Sequence, residues 1–301
     1  MKTGTKYKEE FITALSALYD KTECLAIFYF YFEQKWKLSK TALALTQELS
    51  IDQVQFSSDL QKLAQGMPVQ YVVGETVFFN RIFKVNDKTL IPRQETEELV
   101  SLIQNENKVF QNEKIKILEI GTGSGVIAVS LAAYFQQATV YATDISSSAL
   151  GIAAENAKLN HVNIILQKHD ILNDTFDLLP NEIDILASNP PYIPMKEIDN
   201  MHINVVNYEP REALFVPTDD PLLFYRKITE AAHCKLQNGG KLYFEIYEQF
   251  YMELKNIIQQ FGFKEIELIF DINNKPRFVK ATRVKSILHF AVLLLFLSQF
   301  F

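Results

Sequence analysis

The middle of the chain carries a short apolar segment, a glycine-rich turn and a helical pattern in direct succession, and this unit constrains the fold more than any other feature. The apolar segment covers residues 115–120, the turn reads Gly-Thr-Gly-Ser-Gly at 121–125, and apolar residues recur at helical spacing from Val126 onward. A second apolar run at 138–143 follows the helix. A strand, a helix and another strand in this order are typical of a parallel sheet. The chain is therefore predicted to contain an α/β domain.

Seven strands of this domain are predicted, at 115–120, 138–143, 162–167, 183–188, 240–246, 263–270 and 277–281. Most are continuous apolar runs, as expected for parallel strands that are covered on both faces. The last two are separated by so few residues that they are expected to pair as an antiparallel hairpin. The fold class predicted for residues 92–282 is thus α/β, with a Rossmann-like, doubly wound sheet of seven strands.

Residues 1–70 are predicted to form a small helical domain, because apolar residues recur there at every third or fourth position. Residues 50–53 have the form of a capping box that opens one of these helices. The segment contains eight lysines, eight acidic residues and no arginine, so it is neutral rather than a basic nucleic-acid arm. Residues 71–91 are predicted to be a β-hairpin linker with its turn near Asn86 and Asp87.

The glycine-rich turn predicts a cofactor site. Its glycines are the first, third and fifth residues of the run Gly121, Thr122, Gly123, Ser124 and Gly125, whereas a dinucleotide fingerprint has glycines at the first, third and sixth positions. This spacing favours S-adenosyl-L-methionine over NAD. Asp144, at the end of the second strand, is placed to accept hydrogen bonds from the ribose hydroxyls. Such turns also close ordinary αβ units, and an aspartate at a strand end is often a helix cap.

A second motif, Asn189-Pro190-Pro191-Tyr192, follows the fourth of these strands. The Asn189 side chain offers a carbonyl acceptor, Pro190 and Pro191 stiffen the backbone and have no N–H, and Tyr192 adds a flat apolar wall. The lone pair of an amide or aromatic amine is delocalised, so such a nitrogen reacts only if its hydrogens are held and the methyl carbon is in line. The motif therefore predicts alkylation of a planar NH2 group. The alternative interpretation is a loop in which the prolines end the strand.

Three further segments make the chain similar to the HemK-type release-factor glutamine N5-methyltransferases. They read Pro-Val-Gln-Tyr-Val-Val-Gly at 68–74, Leu-Ile-Pro-Arg-Gln-Glu-Thr-Glu at 90–97 and Tyr-Glu-Pro-Arg-Glu-Ala-Leu at 208–214. The resemblance runs from about residue 66 to residue 282. Gln94, Asn80 and Tyr247 depart from the usual family pattern. None of them lies in the glycine turn or in the Asn-Pro-Pro-Tyr motif, so the departures affect the expected loop structure and not the expected reaction.

The resemblance implies a class I S-adenosylmethionine-dependent methyltransferase. Its substrate would be the glutamine of the Gly-Gly-Gln motif in a peptide chain release factor, methylated at the side-chain amide N5. Asn189 and the carbonyl of Pro190 would accept the two amide hydrogens, with Tyr192 as the wall. Asp170 would bond near the adenine amino group and Ile171 would pack on the ring; the alternative for Asp170 is a plain acidic turn residue. The helical domain would dock the protein substrate; a packing appendage is the alternative.

Other functions remain open at this stage. A DNA or ribosomal-RNA amine methyltransferase would use the same chemistry, but the net charge of −6 and the pI of about 5.5 argue against a partner bound mainly through phosphates. A glutamine methyltransferase acting on a ribosomal protein shares nearly every motif. A non-enzymatic cofactor-binding module would need the glycine turn but not Asn189. Glu95 and Glu97, in the first turn of the helix after Arg93, either suit the helix dipole or line the site.

Composition and the chain ends complete the expectations. Cys24 and Cys234 have no metal or redox spacing and are expected in the core, and no metal is expected. No signal peptide precedes the first helix, so a reducing cytoplasm is expected. The protein is also expected to be a monomer without a membrane partner. Residues 283–301 form an apolar extension of unknown role. Its unbroken part, 290–297, is far below the ~20 residues of a membrane span, which favours packing on a neighbour or a non-native end of the reading frame over an anchor.

Overall fold

The computed structural model describes residues 2–45 and 48–284, which form a helical N-terminal part and an α/β part. The helices are α1 Gly4–Leu15, α2 Lys21–Trp36, α3 Lys40–Leu45, α4 Gln53–Ala64, α5 Val69–Val73, α6 Gln94–Glu106, α7 Val126–Tyr134, α8 Ser147–Leu159, α9 Ile203–Tyr208, α10 Leu223–Lys235 and α11 Tyr251–Gln260. The strands are β1 Glu75–Phe78, β2 Arg81–Lys84, β3 Lys116–Ile120, β4 Thr139–Asp144, β5 Ile165–Lys168, β6 Ile183–Ser188, β7 Ile193–Pro194, β8 Phe215–Val216, β9 Leu236–Glu245, β10 Phe263–Phe270 and β11 Pro276–Arg283.

Seven strands form one sheet in the order β10-β11-β9-β6-β3-β4-β5. Strand β11 is antiparallel to both of its neighbours, and the other pairs are parallel. The chain winds from β3 through β4 to β5 on one side and then returns to β6 on the other side of β3. The carboxyl ends of β3 and β6 therefore border a switch point, where open α/β sheets bind ligands. The predicted doubly wound sheet and its antiparallel hairpin are confirmed.

Strand β3 is buried on both faces, which explains why apolar residues stand at consecutive positions in its sequence. Ile117 packs in a cluster with Leu99 of α6 and Val129 of α7. The next residue, Leu118, points to the opposite face and packs in a second cluster that includes Ile228 of α10. Each fully buried side chain of this kind contributes about 1.5–3 kcal/mol. The two helical layers thus hold the strand that carries the glycine turn.

The N-terminal helices share a third cluster that is rich in aromatic side chains. The ring of Phe32 in α2 lies 5.6 Å from that of Tyr7 in α1 and 6.1 Å from that of Phe56 in α4, measured between centroids. Such pairs contribute about 0.5–1.5 kcal/mol beyond the area they bury. Asp59 is buried among them and accepts a hydrogen bond from the Tyr31 hydroxyl at 3.0 Å. These contacts join α1, α2 and α4 around one core.

Helix α4 begins later than the capping-box pattern predicts. Its N-cap is Asp52, whose carboxylate accepts hydrogen bonds from the amides of Val54 and Gln55 at 2.9 and 3.1 Å. Aspartate and serine are equally good N-caps, so the sequence pattern did not distinguish Asp52 from Ser50. The prediction of the cap at residue 50 was wrong by two residues.

The turn of the hairpin lies at Phe79 and Asn80, so its predicted position near Asn86 was wrong. Both residues have positive φ, 49° and 58°, and the flanking residues pair in a regular antiparallel ladder. Two positive φ values define the type I′ turn, whose twist matches that of a two-residue hairpin. Asparagine tolerates this conformation and phenylalanine rarely adopts it, which is why the sequence did not mark the turn.

The segment between the short parallel strands β7 and β8 joins the helical part to the sheet. Asn204 of α9 donates a hydrogen bond to the hydroxyl of Tyr19, and the Tyr208 hydroxyl donates to the carbonyl of Gln65 at 2.9 Å. The His202 ring stacks on Tyr19 with a centroid distance of 5.7 Å. Helix α9 is thereby attached to the N-terminal helices beside the motif at 208–214.

The two cysteines have different environments. Cys24 is buried, as expected, whereas Cys234 is exposed. Cys234 lies on α10, whose buried face near this point is formed by Ala231, Ala232 and Lys235. The helical period turns residue 234 away from that face. The expectation of a core position for Cys234 was therefore wrong.

The carboxyl-terminal strand β11 runs to Arg283, one residue beyond the predicted end of the α/β domain. The apolar extension lies outside the described residues apart from Arg283 and Val284. Within the described part of the chain, no helix is long and apolar enough to cross a membrane. The same residues contain no group of three metal-ligating side chains placed to hold an ion.

Candidate active site

A cavity of about 340 Å³ lies at the switch point, between the loop that follows β3 and the loop that follows β6. Its lining includes the glycine turn, Asp144, the segment 169–173 and residues 188–191. Ligand pockets have volumes of about 300–1,000 Å³ and combine apolar walls with a few polar groups. The fold therefore brings the two predicted motifs to one cavity of ligand size.

Two glycines of the turn leave their backbone open to this cavity. Gly121 and Gly123 have φ values of 76° and 54°, and apart from each glycine and its two chain neighbours no described residue has an atom within 4 Å of the place where a Cβ would stand. Both line the cavity, as do Thr122 and Ser124. Positive φ is accessible to glycine at little cost. A ligand can therefore approach the main chain of the turn closely.

Gly125 has another role. Its φ is 82°, and a Cβ there would stand 3.0 Å from the Cβ of Ala153 in α8. It lies outside the lining of the cavity and immediately precedes α7. The positive φ and the close packing of α7 against α8 both require glycine at this position, and its predicted role in cofactor binding stays a prediction.

A buried glutamate that was not among the predicted site residues binds the glycine turn. Glu119, the fourth residue of β3, accepts hydrogen bonds from the Thr122 hydroxyl at 2.6 Å and from the amide of Ala128 at 2.9 Å. Burial raises the pKa of Glu119 to about 8, although these two hydrogen bonds oppose the rise. The carboxylate thus ties the turn to the first residues of α7. Its signal in the sequence is an acidic residue inside an otherwise apolar strand.

Asp144 holds the turn from the side of β4. Its carboxylate accepts hydrogen bonds from the amide of Gly123 at 2.8 Å and from the amide of Ser146 at 2.9 Å. Burial raises the pKa of Asp144, and the two amides oppose that rise. A carboxylate has about four acceptor sites, so lone pairs remain for hydroxyl groups of a ligand. Asp144 therefore fixes the turn and still faces the cavity.

Asp170 and Ile171 both line the cavity, on the side of the β5 end. The Asp170 carboxylate accepts hydrogen bonds from the amide of Leu172 at 2.9 Å and from the side chain of Asn173 at 2.8 Å. The bond from Asn173 lowers the pKa of Asp170 most strongly. The group is therefore an ionised acceptor in a local turn, while Ile171 offers an apolar surface beside it.

The Asn-Pro-Pro-Tyr motif begins where β6 ends. Asn189, Pro190 and Pro191 line the cavity, and the Asn189 Nδ2 donates a hydrogen bond at 3.1 Å to the hydroxyl of Thr96. Tyr192 lies outside the lining; its ring stacks on that of Tyr247 with a centroid distance of 6.0 Å. Three of the four motif residues are thus at the cavity, and the role of Tyr192 as its wall stays a prediction.

Thr96 and Glu245 connect to this motif, and neither was identified as a site residue from the sequence. The Thr96 hydroxyl donates to the Glu245 carboxylate at 2.7 Å, and the Tyr192 hydroxyl donates to the other oxygen of the same carboxylate at 3.3 Å. Burial raises the pKa of Glu245 to about 7, while the bond from Thr96 opposes the rise. The first turn of α6 therefore reaches the site through Thr96.

The neighbouring glutamates of α6 lie elsewhere. Glu97 accepts a hydrogen bond from the amide of Phe79 at 2.9 Å, in the turn of the hairpin. Neither Glu95 nor Glu97 lines the cavity. A role of Glu95 in the site therefore stays a prediction. Glu97 instead joins the hairpin to the α/β part.

The segments at 90–97 and 208–214 are joined by one ion pair. The Glu209 carboxylate, which is 1% exposed, accepts from the Arg93 guanidinium at 2.6 Å and from the amide of Ile91 at 3.1 Å. Charge-assisted bonds of this kind are about twice as strong as neutral ones. The pair fixes the segment after β7 against the rim of the cavity, where Arg93 and Glu212 are lining residues.

Comparison with known proteins gives consistent results. The sequence profile of the methyltransferase small domain matches residues 95–212. The release factor glutamine methyltransferase of Flavobacterium psychrophilum is 44% identical over 278 residues, which cover 91% of this chain and 97% of that protein. The protein of the same name from Bacteroides thetaiotaomicron is 40% identical over 74% of this chain and 78% of its own length. That from Bacillus subtilis is 34% identical over 93% of this chain and 98% of its own length.

Proposed function

Because the chain belongs to the family of release factor glutamine methyltransferases, we propose that the cavity at the switch point is its active site and that S-adenosyl-L-methionine is the methyl donor bound there. The reaction is transfer of a methyl group to the side-chain amide nitrogen of a release factor glutamine. The observation that carries this assignment is that one cavity is lined both by the glycine turn after β3 and by Asn189 after β6.

The residues present fit the donor. The open backbone at Gly121 and Gly123 admits a ligand that lies along the turn. The Asp144 carboxylate retains acceptor capacity for two ribose hydroxyls beyond the amides that it already binds. Ile171 supplies an apolar surface for a flat base, with the ionised Asp170 beside it for an amino group.

Alignment of the substrate amide is the contribution of the chain to the rate. Held by the glycine turn and Asp144, S-adenosylmethionine would supply an electrophilic methyl group; the new N–C bond would replace the S–C bond, and one amide proton would be lost to solvent. Asn189 Oδ1 and the carbonyl of Pro190 accept the two N–H groups and hold the amide plane in register. Positioning of this kind can contribute about 7–11 kcal/mol to lowering a barrier, so no strong general base is required.

Recognition of the release factor falls to surface outside the cavity, since the cavity can recognise an amide but little else of a protein. We propose that the helical part formed by α1 to α5 docks the substrate protein. Its neutral charge and its attachment to α9 beside the cavity rim support this role. Val54 on α4 is 81% exposed and offers an apolar contact.

The docking role is tested with Val54→Glu, which should raise the release factor concentration needed for half-maximal methylation by about tenfold, or ~1.4 kcal/mol. Val109→Glu is the matched control, because Val109 is 79% exposed and lies in the α/β part. A short Gly-Gly-Gln peptide should be an equally poor substrate for both variants. Equal release factor requirements in the two variants would assign the helical part a structural role.

The reaction itself is tested with purified protein and S-adenosylmethionine labelled in the methyl group, offered release factor, ribosomes or DNA. Label is expected in the release factor, on the glutamine of its Gly-Gly-Gln motif. Label in a ribosomal protein or in DNA would instead support the alternative substrates that the Asn-Pro-Pro-Tyr chemistry allows. Mass spectrometry of the labelled peptide identifies the methylated atom.

A further inference from the structure

One buried carboxylate is linked to both ends of the Asn-Pro-Pro-Tyr motif, directly to Tyr192 and through the Thr96 hydroxyl to Asn189. Glu245, at the end of β9, is 1% exposed. One of its oxygens accepts from the Tyr192 hydroxyl, and the other accepts from the Thr96 hydroxyl, which in turn accepts from the Asn189 side chain. Removal of a carboxylate from water costs free energy. Glu245 is not among the residues that line the cavity. The cofactor and substrate contacts proposed above do not account for it.

The Thr96 hydroxyl imposes a direction on this chain of hydrogen bonds. A hydroxyl has one hydrogen, and an ionised carboxylate can only accept, so the Thr96 hydrogen is committed to Glu245. Its oxygen is then left as an acceptor, and only the NH2 end of the Asn189 amide can satisfy it. The flipped amide would place two acceptors against each other at this site. The Asn189 Oδ1 is thereby the end left for a substrate.

We propose that Glu245 and Thr96 are positioning residues for methyl transfer, which together fix the orientation of the Asn189 amide so that its carbonyl oxygen faces the substrate. This inference rests on the function proposed for Asn189. Tyr192, bonded to the same carboxylate, holds the other end of the motif and keeps its hydroxyl away from the cavity.

The arrangement requires the ionised form of Glu245. Four groups from surrounding elements face the carboxylate: Arg277 of β11, Glu95 of α6, Tyr192 after β6 and Tyr225 of α10. Burial raises its pKa to about 7, with Thr96, Arg277 and Tyr192 favouring the charged form and Glu95 opposing it. A protonated Glu245 carboxyl could donate its own hydrogen to the Thr96 oxygen. The Thr96 hydroxyl would then no longer have to donate to Glu245. Turnover is therefore expected to rise with pH through about 7.

Two substitutions of Thr96 and one matched control test the proposal. Thr96→Val keeps the shape and removes the hydroxyl; it should lower kcat by about 10- to 100-fold, the scale for a misplaced catalytic contact, with the release factor KM within a few-fold of wild type. Thr96→Ser restores the hydroxyl and should restore most of kcat. Thr282→Val removes the hydroxyl that donates to Glu265 at 2.8 Å, at the other end of β11, and should leave kcat unchanged.

The dependence of kcat on pH is a second test, because a purely structural role of Glu245 would not change it. The rise of kcat through about pH 7 should disappear in Glu245→Gln, because glutamine does not ionise. An unchanged kcat in folded Thr96→Val, shown by normal binding of S-adenosylmethionine, would overturn the proposal. If Thr96→Val does not fold, an unchanged pH profile in Glu245→Gln would overturn it instead.

Asn189→Ala separates this inference from the proposed function. A turnover loss of roughly 100-fold or more in Asn189→Ala, with normal kcat in Thr96→Val, would refute the positioning role and leave the function of Asn189 intact. Normal kcat in Asn189→Ala would refute the role of Asn189 itself. Losses in both variants, with rescue by Thr96→Ser, support the full chain of contacts.

Discussion

Replacement of Gly125 by alanine separates packing from ligand contact within the glycine turn. An L residue at its φ of 82° costs about 1–2 kcal/mol. The new Cβ would also stand 3.0 Å from the Cβ and 3.2 Å from the Cα of Ala153, which forces α7 and α8 apart at a cost of about 1–3 kcal/mol. The free energy of unfolding should therefore fall by roughly 2–5 kcal/mol in Gly125→Ala.

Gly123→Ala should show the opposite balance. Its φ is also positive, but open space surrounds the new Cβ, so the stability loss should be only the conformational term of about 1–2 kcal/mol. Because Gly123 lines the cavity, the affinity of the Gly123→Ala protein for S-adenosylmethionine should fall at least about tenfold, or ~1.4 kcal/mol. Gly125→Ala, where it folds, should bind the cofactor within a few-fold of wild type.

Urea unfolding and calorimetric titration with S-adenosylmethionine measure the two quantities on the same variants. Gly151→Ala is the control, because Gly151 lies in α8 and, apart from its chain neighbours and the nearby backbone of its own helix, no described atom lies within 4 Å of the added Cβ; it should stabilise the protein by about 0.5–1 kcal/mol. The packing argument is refuted if Gly125→Ala loses no more stability than Gly123→Ala.

Three further predictions concern carboxylates. Asp144→Ala should weaken cofactor binding by about 1.5–3 kcal/mol, the scale of charge-assisted hydrogen bonds, and unchanged affinity in calorimetry would remove Asp144 from the cofactor site. Glu209→Ala should lower the free energy of unfolding by about 2–4 kcal/mol, because the amide of Ile91 loses its buried acceptor; Asp220→Ala, which breaks an exposed pair with Arg226, should cost at most about 1 kcal/mol. The folded-state pKa of Glu119 is raised, so the native state binds its proton more tightly than the unfolded state between about pH 4.5 and 8. Stability of wild type relative to Glu119→Gln should therefore decrease as pH rises through that window, and parallel unfolding curves at pH 5 and pH 8 with a constant difference would contradict this.

The wrong predictions concern a helix cap, a hairpin turn and a cysteine whose positions local sequence patterns do not determine. The capping residue of α4 and the turn at Phe79 and Asn80 were misplaced because several residue types suit the same local geometry, and packing selects among them. Cys234 was misjudged because its exposure depends on which face of α10 meets the sheet. The face of α10 that packs on the sheet is set by contacts with distant parts of the chain, which local patterns do not contain.

The seven strands along the chain, the glycine turn, Asp144 and the Asn-Pro-Pro-Tyr motif could be identified from the sequence, since each depends on residues that are adjacent or regularly spaced along the chain. The hydrogen bonds from Asn189 to Thr96 and from Thr96 to Glu245 were not readable, because these residues are 93 and 149 positions apart. Only the tertiary structure, which places β9 beside β6 and packs α6 against β9, makes them neighbours. The chemistry of the site was thus determined by local sequence, and the means of holding it in place by the tertiary structure.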